Sequence, residues 1–260
     1  MYYITGGMPE SVLMWTKYRE TDSMQEVLSD ILDTYQRDFA KHPDKNEFPK
    51  ISMIWNSIPS QLARENKKFL YKVVKEGARA RKYEDALQWL VEAGLVHKIY
   101  RSTAPNLPVS AYDDVSAFKI YLSDVGLLRR LSRLATSAFK EGNRLFTEFK
   151  GALTENFVLQ SLIPQFEVTP RYWREVNPLY EVDFLIQREN DIFPIEVKSE
   201  TNITSKSIKK FKELFSDKVK LRIRFSLENL KLDNDFLNIP LFLIDKTDQL
   251  IYMALNELDK

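Results

Sequence analysis

The sequence predicts a mixed α/β protein whose first half is mainly helical and whose second half is an α/β domain. Apolar residues recur at helical spacing over much of the span from Pro9 to Ile163. Short runs that alternate polar and apolar residues, typical of strands, lie mostly after that span. The chain has 260 residues, of which 44% are hydrophobic, which is enough for two domains with apolar cores.

Composition limits the classes of function. The formal net charge is only +1, so any surface that binds nucleic acid must be local. The chain has no cysteine, which excludes disulfides and thiolate metal sites and leads us to expect a cytoplasmic protein. No membrane association is expected, because no apolar run approaches the length of a membrane span. No P-loop pattern is present, so ATP binding of that kind is not expected.

Residues 1–45 are predicted to be a helical segment without evident chemistry. Pro9 suits a helix start, and a capping box at Ser23 predicts a second helix that ends near Phe39. The predicted apolar stripe of that helix comprises Val27, Ile31, Leu32, Tyr35 and Phe39. Because these helices lack a complete core, we expect them to pack on another part of the chain.

Residues 46–135 are predicted to form a winged-helix-like domain. The pattern predicts helices at 51–57, 60–66 and 79–93, followed by strands at 95–100 and 117–122. In winged-helix proteins the third helix often enters the DNA major groove. Arg79, Arg81 and Lys82 begin that helix and could contact phosphates. The alternative is a solvated helix start in a protein-binding domain, because Glu84 and Asp85 follow on the same helix.

Residues 136–260 are predicted to form an α/β domain that opens with a helix at 145–163. Glu155 has apolar neighbours on that helix, so its carboxylate needs a partner. A metal ion or Lys198 would serve, and the alternative is a salt bridge to Arg144 or another basic residue. A later helix within 201–217 carries Lys209 on a lysine-rich face that could touch phosphates or be solvated. Further strands are predicted at 171–174, 221–226 and 239–245.

The predicted hairpin of strands 181–187 and 192–198 is the main candidate site. A two-residue turn at Glu189-Asn190 places Asp183 opposite Glu196, and strict alternation places Leu185 on the same face as Asp183. Facing carboxylates repel unless a cation lies between them, and Mg²⁺ or Mn²⁺ suits such oxygen ligands. Lys198 could position water or stabilise charge. The alternative is a half-exposed hairpin with a solvated polar face.

The order of these elements resembles the PD-(D/E)XK nuclease superfamily. The matching residues are Glu155, Asp183, Glu196 and Lys198, and the resemblance covers about 146–244. The proline before the first aspartate is absent here. The resemblance implies a restriction-endonuclease-like domain in which Asp183, Glu196 and Glu155 hold the metal. Lys198 and Glu155 would be the catalytic residues.

Several longer motifs resemble an uncharacterised family of AAA+-type ATPases that carries domain of unknown function 4143 at its C-terminus. They are GGMPESV, IPSQLARENKKF, GARARKYEDALQWLVEAGLVHKIY, FKIYLSDVGLL and FKGALTENFV. The resemblance spans nearly the whole chain and implies that ATP acts only through a domain absent from it. The expected partners are nucleic acid, with DNA foremost, and an ATPase domain or another protein, and oligomers are possible.

Two functions therefore remain open. The first is a nucleic-acid-associated module with Mg²⁺-dependent phosphodiester hydrolase activity. The alternative is a non-catalytic module that uses a nuclease fold to dock DNA or protein, with ATP hydrolysis elsewhere.

Overall fold

The computed structural model describes residues 2–41, 47–139, 144–175, 179–199 and 205–258. Its helices are α1 (Tyr2–Thr5), α2 (Pro9–Tyr18), α3 (Thr21–Phe39), α4 (Phe48–Leu62), α5 (Tyr71–Val74), α6 (Ala80–Glu92), α7 (Val125–Leu131), α8 (Arg144–Leu162), α9 (Lys206–Leu214) and α10 (Thr247–Leu258). Its strands are β1 (Val96–Ser102), β2 (Asp113–Leu122), β3 (Arg171–Glu175), β4 (Tyr180–Arg188), β5 (Asp191–Val197), β6 (Arg222–Ser226), β7 (Lys231–Asp233) and β8 (Phe236–Pro240). None of the described helices is both long and apolar enough to cross a membrane.

The strands form one mixed sheet, which confirms the mixed α/β class. Their order is β2-β1-β3-β4-β5-β6-β8-β7. β3, β4 and β5 are successively antiparallel, whereas β5, β6 and β8 are parallel. β7 was missed in the sequence and adds antiparallel to β8. The hairpin strands β4 and β5 thus have strands on both outer sides.

The chain divides into two compact units. The first unit comprises residues 1–98 and 119–157, and the second comprises 99–118 and 158–260. The division differs from the predicted boundaries at 45 and 135. In the first unit α3 packs against α4 and α7, and α1 packs against α7, as expected for helices without a complete core of their own.

The start and the buried face of α3 differ from the prediction. Four residues at intervals of four or seven are buried on this helix, namely Met24, Leu28, Leu32 and Phe39. Val27, Ile31 and Tyr35 are only half-buried. The capping box at Ser23 is absent, because the helix begins three residues earlier, with Glu20 at the N-cap, and the Ser23 hydroxyl donates to Glu20 instead.

Prolines account for two corrections. The predicted helices 51–57 and 60–66 are one helix, α4, with Pro59 inside it. Buried Ile54, Ile58 and Leu62 lie along one stripe of α4, and their packing outweighs the backbone hydrogen bond that Pro59 cannot donate. The predicted strand 239–245 is instead the end of β8, which Pro240 terminates, followed by a 3-10 helix, Leu241–Lys246.

One apolar cluster of the second unit joins α9 to β3, β4 and β5. It comprises Val109, Trp173, Val182, Leu185, Ile192, Phe211 and Val219. Trp173 is buried at 3% exposure and packs edge-on against Phe211, so it has a core role.

The predicted strict alternation along β4 is wrong. Val182 and Leu185 are three residues apart and yet lie in the same cluster. β3 pairs Arg171 with Leu185 but Trp173 with Val182, so β4 contains one extra residue between these pairs. Leu185 therefore joins the core face with Val182 and does not share the face predicted for it.

Candidate functional site

The predicted hairpin register is confirmed. Glu189 takes a positive φ of 51° in the turn, and the ladder pairs residues from Arg188–Asp191 to Phe184–Ile195. The ladder ends at this last pair, one step before Asp183 and Glu196. A carboxylate oxygen of Asp183, Oδ2, accepts a hydrogen bond from the backbone N–H of Val197 at 2.8 Å. The Asp183 carboxylate therefore lies at the backbone of the residue that follows Glu196, and the facing of the two carboxylates remains a prediction.

Glu196 is the most unusual polar residue of the hairpin. It is only 4% exposed, and its Oε1 lies 2.9 Å from the Lys198 Nζ. Its other oxygen, Oε2, is buried and has no hydrogen-bond partner among the described residues. A buried oxygen without a protein partner is unfavourable unless a water molecule or an ion meets it. The alternative of a solvated polar face does not fit Glu196.

Lys198 is held next to Glu196 by the sheet. Its backbone N–H donates to the carbonyl of Phe225 in β6 at 2.8 Å. Its side chain is 29% exposed, compared with 6% for that of Glu196. The ammonium group can therefore reach solvent or a substrate while it remains paired with the carboxylate.

A metal ion at this hairpin would have two carboxylates, Asp183 and Glu196. The described residues contain no group of three or more histidine, aspartate or glutamate side chains arranged to hold a metal. Mg²⁺ often uses only one or two carboxylates together with water, so the chemistry of Asp183 and Glu196 suits such an ion. The metal site remains a prediction.

Glu155 lies in the first unit, where side chains already engage both carboxylate oxygens. Lys67 donates to Oε1 and the Tyr121 hydroxyl donates to Oε2 at 3.1 Å. Burial alone would raise the pKa of Glu155, but the charges of Lys67 and Lys119 and these hydrogen bonds together lower it. The structure thus shows the alternative of a salt bridge to a basic residue, and that residue is Lys67. The side chain of Arg144, the other residue named for this role, lies outside the described part of the chain. The catalytic and metal roles of Glu155 remain predictions.

A basic pocket opens beside the hairpin in the second unit, and we call it the α9–β6 pocket. It has a volume of about 670 Å³. The charged residues that line it are Lys206, Lys209, Arg222, Arg224, Lys231 and Asp233. Arg224 is the register partner of Glu196 on the neighbouring strand. The structure thus places Lys209 in this pocket. The two arginines were missed, although their spacing in Arg222-Ile223-Arg224 puts both on one face of a strand.

Arg79, Arg81 and Lys82 lie at the N-terminus of α6, as predicted, and all three are exposed. Among the described residues no carboxylate forms a salt bridge with them. The buried face of α6 is formed by Tyr83, Ala86, Leu87 and Leu90. The three cations are therefore available to a ligand, although the winged-helix assignment itself is not confirmed.

Comparison with known proteins gives two family matches. No curated protein and no solved structure matches the chain. Residues 150–243 match the model described as domain of unknown function DUF4143. The predicted resemblance to that domain is therefore confirmed for this part of the chain, and no match shows the ATPase context. Residues 1–138 match a different model, described as domain of unknown function DUF8612. Since that match covers more than half of the 260 residues, the chain belongs to the family described as domain of unknown function DUF8612.

Proposed function

We propose that the chain is a nucleic-acid-associated module with a Mg²⁺- or Mn²⁺-dependent phosphodiester hydrolase centre at the β4–β5 hairpin. One observation carries this proposal. The buried Oε2 of Glu196 has no partner among the described residues, while Lys198 holds the other oxygen at 2.9 Å. Asp183 lies on the neighbouring strand, where its carboxylate accepts from the backbone N–H of Val197, so the hairpin carries two carboxylates and an ammonium group.

Each residue has a distinct role in this proposal. Asp183 and Glu196 would hold the metal ion, which when bound polarises a phosphoryl oxygen and acidifies a bound water. Lys198 stabilises negative charge on the phosphate, because its ammonium group is fixed by Glu196 and yet partly open to solvent. The backbone N–H of Val197 orients the Asp183 carboxylate through its 2.8 Å hydrogen bond.

Two further features support the proposal. The element order of residues 146–244 resembles that of PD-(D/E)XK nucleases, and the residues of that motif at the hairpin are Asp183, Glu196 and Lys198. The α9–β6 pocket next to the hairpin supplies positive charge for a phosphate backbone. In the AAA+ context that the motifs imply, ATP hydrolysis would belong to a domain outside this chain.

Metal binding is the first test. We expect calorimetry to detect Mn²⁺ or Mg²⁺ binding by the wild-type protein and no binding by Asp183→Asn/Glu196→Gln, because the variant lacks both anionic ligands. Glu213→Gln/Asp217→Asn is the matched control, since it removes two exposed carboxylates from the same unit. Absence of metal binding by the wild type would exclude the proposed centre.

Cleavage is the second readout of the same variants. With Mn²⁺ and single-stranded or duplex DNA, we expect Asp183→Asn to lower the cleavage rate by about 100-fold or more. A cleavage rate equal to that of the wild type would assign the activity to other residues or to a contaminant.

The second candidate function is a non-catalytic DNA- or protein-docking module. The observation that favours it is the set of exposed cations at the start of α6. No described carboxylate forms a salt bridge with them. Tight DNA binding without metal binding or cleavage would select this function. If the protein binds neither DNA nor metal, docking of a protein partner is the form of this function that remains.

A further inference from the structure

The α9–β6 pocket has the size and the charge of a ligand site, and none of its lining residues belongs to the proposed metal centre. Its volume of about 670 Å³ is within the range of small-molecule sites, about 300–1,000 Å³. Basic residues from a helix and two strands converge on it, although they are far apart in sequence. The charge of this pocket therefore needs an explanation of its own.

Neighbouring carboxylates neutralise only part of that charge. Arg222 pairs with Asp235, and the Lys231 ammonium lies 3.5 Å from Asp233. Among the described residues no carboxylate lies within 4.0 Å of the cationic groups of Lys206, Lys209 or Arg224. The charges of Glu196 and Glu228 act on Arg224 without forming a salt bridge, whereas Lys206 and Lys209 have no described salt-bridge partner. The pocket thus keeps a positive charge, which favours an anionic ligand.

Arg224 is held in place before any ligand arrives. Its Nε donates to the Asn238 Oδ1 at 2.8 Å, and its guanidinium lies 5.0 Å from the centre of the Phe236 ring. Arg222 lies over the same ring at 5.1 Å. Because these contacts fix the guanidinium, less side-chain entropy is lost when it binds an anion.

The start of α9 adds to the positive potential. Helix N-termini normally attract acidic residues, because their free N–H groups carry partial positive charge. The first turn of α9 has no acidic residue and no side-chain cap, and it carries Lys206 and Lys209 instead. The lysines and the helix dipole oppose each other, and an anion in the pocket would relieve that repulsion.

We propose that the α9–β6 pocket binds a phosphate group through Lys206, Lys209, Arg224 and the N-terminus of α9. The phosphate belongs either to a nucleic-acid strand or to a small molecule such as pyrophosphate. Since Arg224 is the register partner of Glu196, a strand bound here passes next to the hairpin. Only this last step, in which the bound strand is the one that is cleaved, rests on the proposed function.

The test measures binding in EDTA, where a metal-dependent centre is silent. The probes are a short fluorescently labelled DNA single strand and inorganic pyrophosphate as a competitor. The pocket variant is Lys206→Ala/Lys209→Ala, in which both replaced lysines are exposed and the core is untouched. The control is Lys210→Ala/Lys246→Ala, which removes the same charge from the same unit outside the pocket lining.

We expect the pocket variant to bind the strand at least about tenfold more weakly at low salt. The slope of log K against log salt concentration should become less steep by about 1.4, because two phosphate contacts are lost. The control variant should bind like the wild type. Pyrophosphate binding, measured directly by calorimetry, with no strand binding would assign the phosphate to a small molecule. Equal binding by the pocket variant and the wild type, equal losses in both variants, or no binding of either probe would overturn the proposal.

The same experiment separates this proposal from the hydrolase centre. Asp183→Asn/Glu196→Gln should retain strand binding in EDTA, because neither residue supplies a positive charge. Absence of metal binding by the wild type together with phosphate binding would exclude the hydrolase centre and support the phosphate site. Metal binding without phosphate binding would support the hydrolase centre and exclude the phosphate site.

Discussion

At the residue scale, the buried carboxylate of Glu155 is compensated by the charges of neighbouring lysines. In the first unit Lys119 is fully buried and Glu155 is 7% exposed. Glu155 bridges Lys67 and Tyr121, and the charge of Lys119 also acts on it. Removing one member of such a group leaves another charge uncompensated, which destabilises more than the pair itself stabilises.

The first prediction concerns Glu155→Gln, for which we expect the free energy of unfolding to fall by about 3 kcal/mol at pH 7. The reason is that Lys67 and the buried Lys119 lose their counter-charge. Urea denaturation measures the change, with the exposed Glu26→Gln in the same unit as the control. A change equal to that of the control would contradict the assigned role.

The same variant has a predictable pH dependence. The pKa of Glu155 is lowered in the folded protein, so its stabilisation is complete above the ordinary glutamate pKa of about 4.3. It is lost as the pH falls from there through the lowered pKa. The difference between wild type and Glu155→Gln should therefore shrink below about pH 4.3, and a constant difference would disprove the linkage.

At the scale of elements, the junction between α1 and α7 explains the Gly-Gly-Met-Pro motif. Asp124 caps α7, because its Oδ1 accepts a hydrogen bond from the Leu127 N–H at 2.9 Å. Its Oδ2 accepts another from the Gly7 N–H at 2.7 Å. Gly126 lies so close that an added Cβ would be 2.6 Å from the backbone nitrogen of Gly6. Two backbone segments thus meet at a distance that only glycine permits.

Gly126→Ala should therefore lower the free energy of unfolding by about 1–3 kcal/mol, since the added methyl group meets backbone atoms. Gly151→Ala is the control, because Gly151 also lies in a helix but nothing is within 4 Å of its added Cβ. It should stabilise the protein by up to about 1 kcal/mol through helix propensity. Thermal and urea unfolding compare the two variants, and equal effects would refute the close approach.

At the scale of the whole molecule, charge is local. The net charge is +1, and yet each unit has a group of cations without described salt-bridge partners. In the first unit these are Arg79, Arg81 and Lys82, and in the second unit they line the α9–β6 pocket. Long-range attraction to nucleic acid should thus be weak, and binding should depend on these two groups.

For the first group we expect Arg79→Ala/Arg81→Ala/Lys82→Ala to weaken duplex DNA binding about tenfold or more at low salt. The slope of log K against log salt concentration should become less steep by up to about 2.7, because three phosphate contacts are lost. The control is Lys17→Ala/Arg37→Ala/Lys41→Ala, which removes three exposed cations from the same unit. Fluorescence anisotropy over a salt series measures both, and parallel losses would indicate a non-specific charge effect.

Much of the local structure could be predicted because its causes are local. The helices α6 and α8 and the strand β5 have bounds within one residue of those predicted, since periodicity and terminal residues act over short stretches. The register of the β4–β5 ladder from Arg188–Asp191 to Phe184–Ile195 was also predictable, because a two-residue turn fixes the pairing of its strands. The errors at Pro59 and along β4 arose where packing outweighed these local rules.

What the sequence by itself determined, then, is the α/β class, the hairpin with its carboxylates and lysine, and the basic starts of α6 and α9. Only the tertiary structure decided that Glu155 pairs with Lys67, 88 residues away, and that Lys209 shares a pocket with Arg222 and Arg224. It also decided that the Oε2 of Glu196 is buried without a described partner. The physical reason is that propensity and periodicity act between near neighbours. The partner of a buried charge depends on which distant segments pack together, because only packing removes water from that charge.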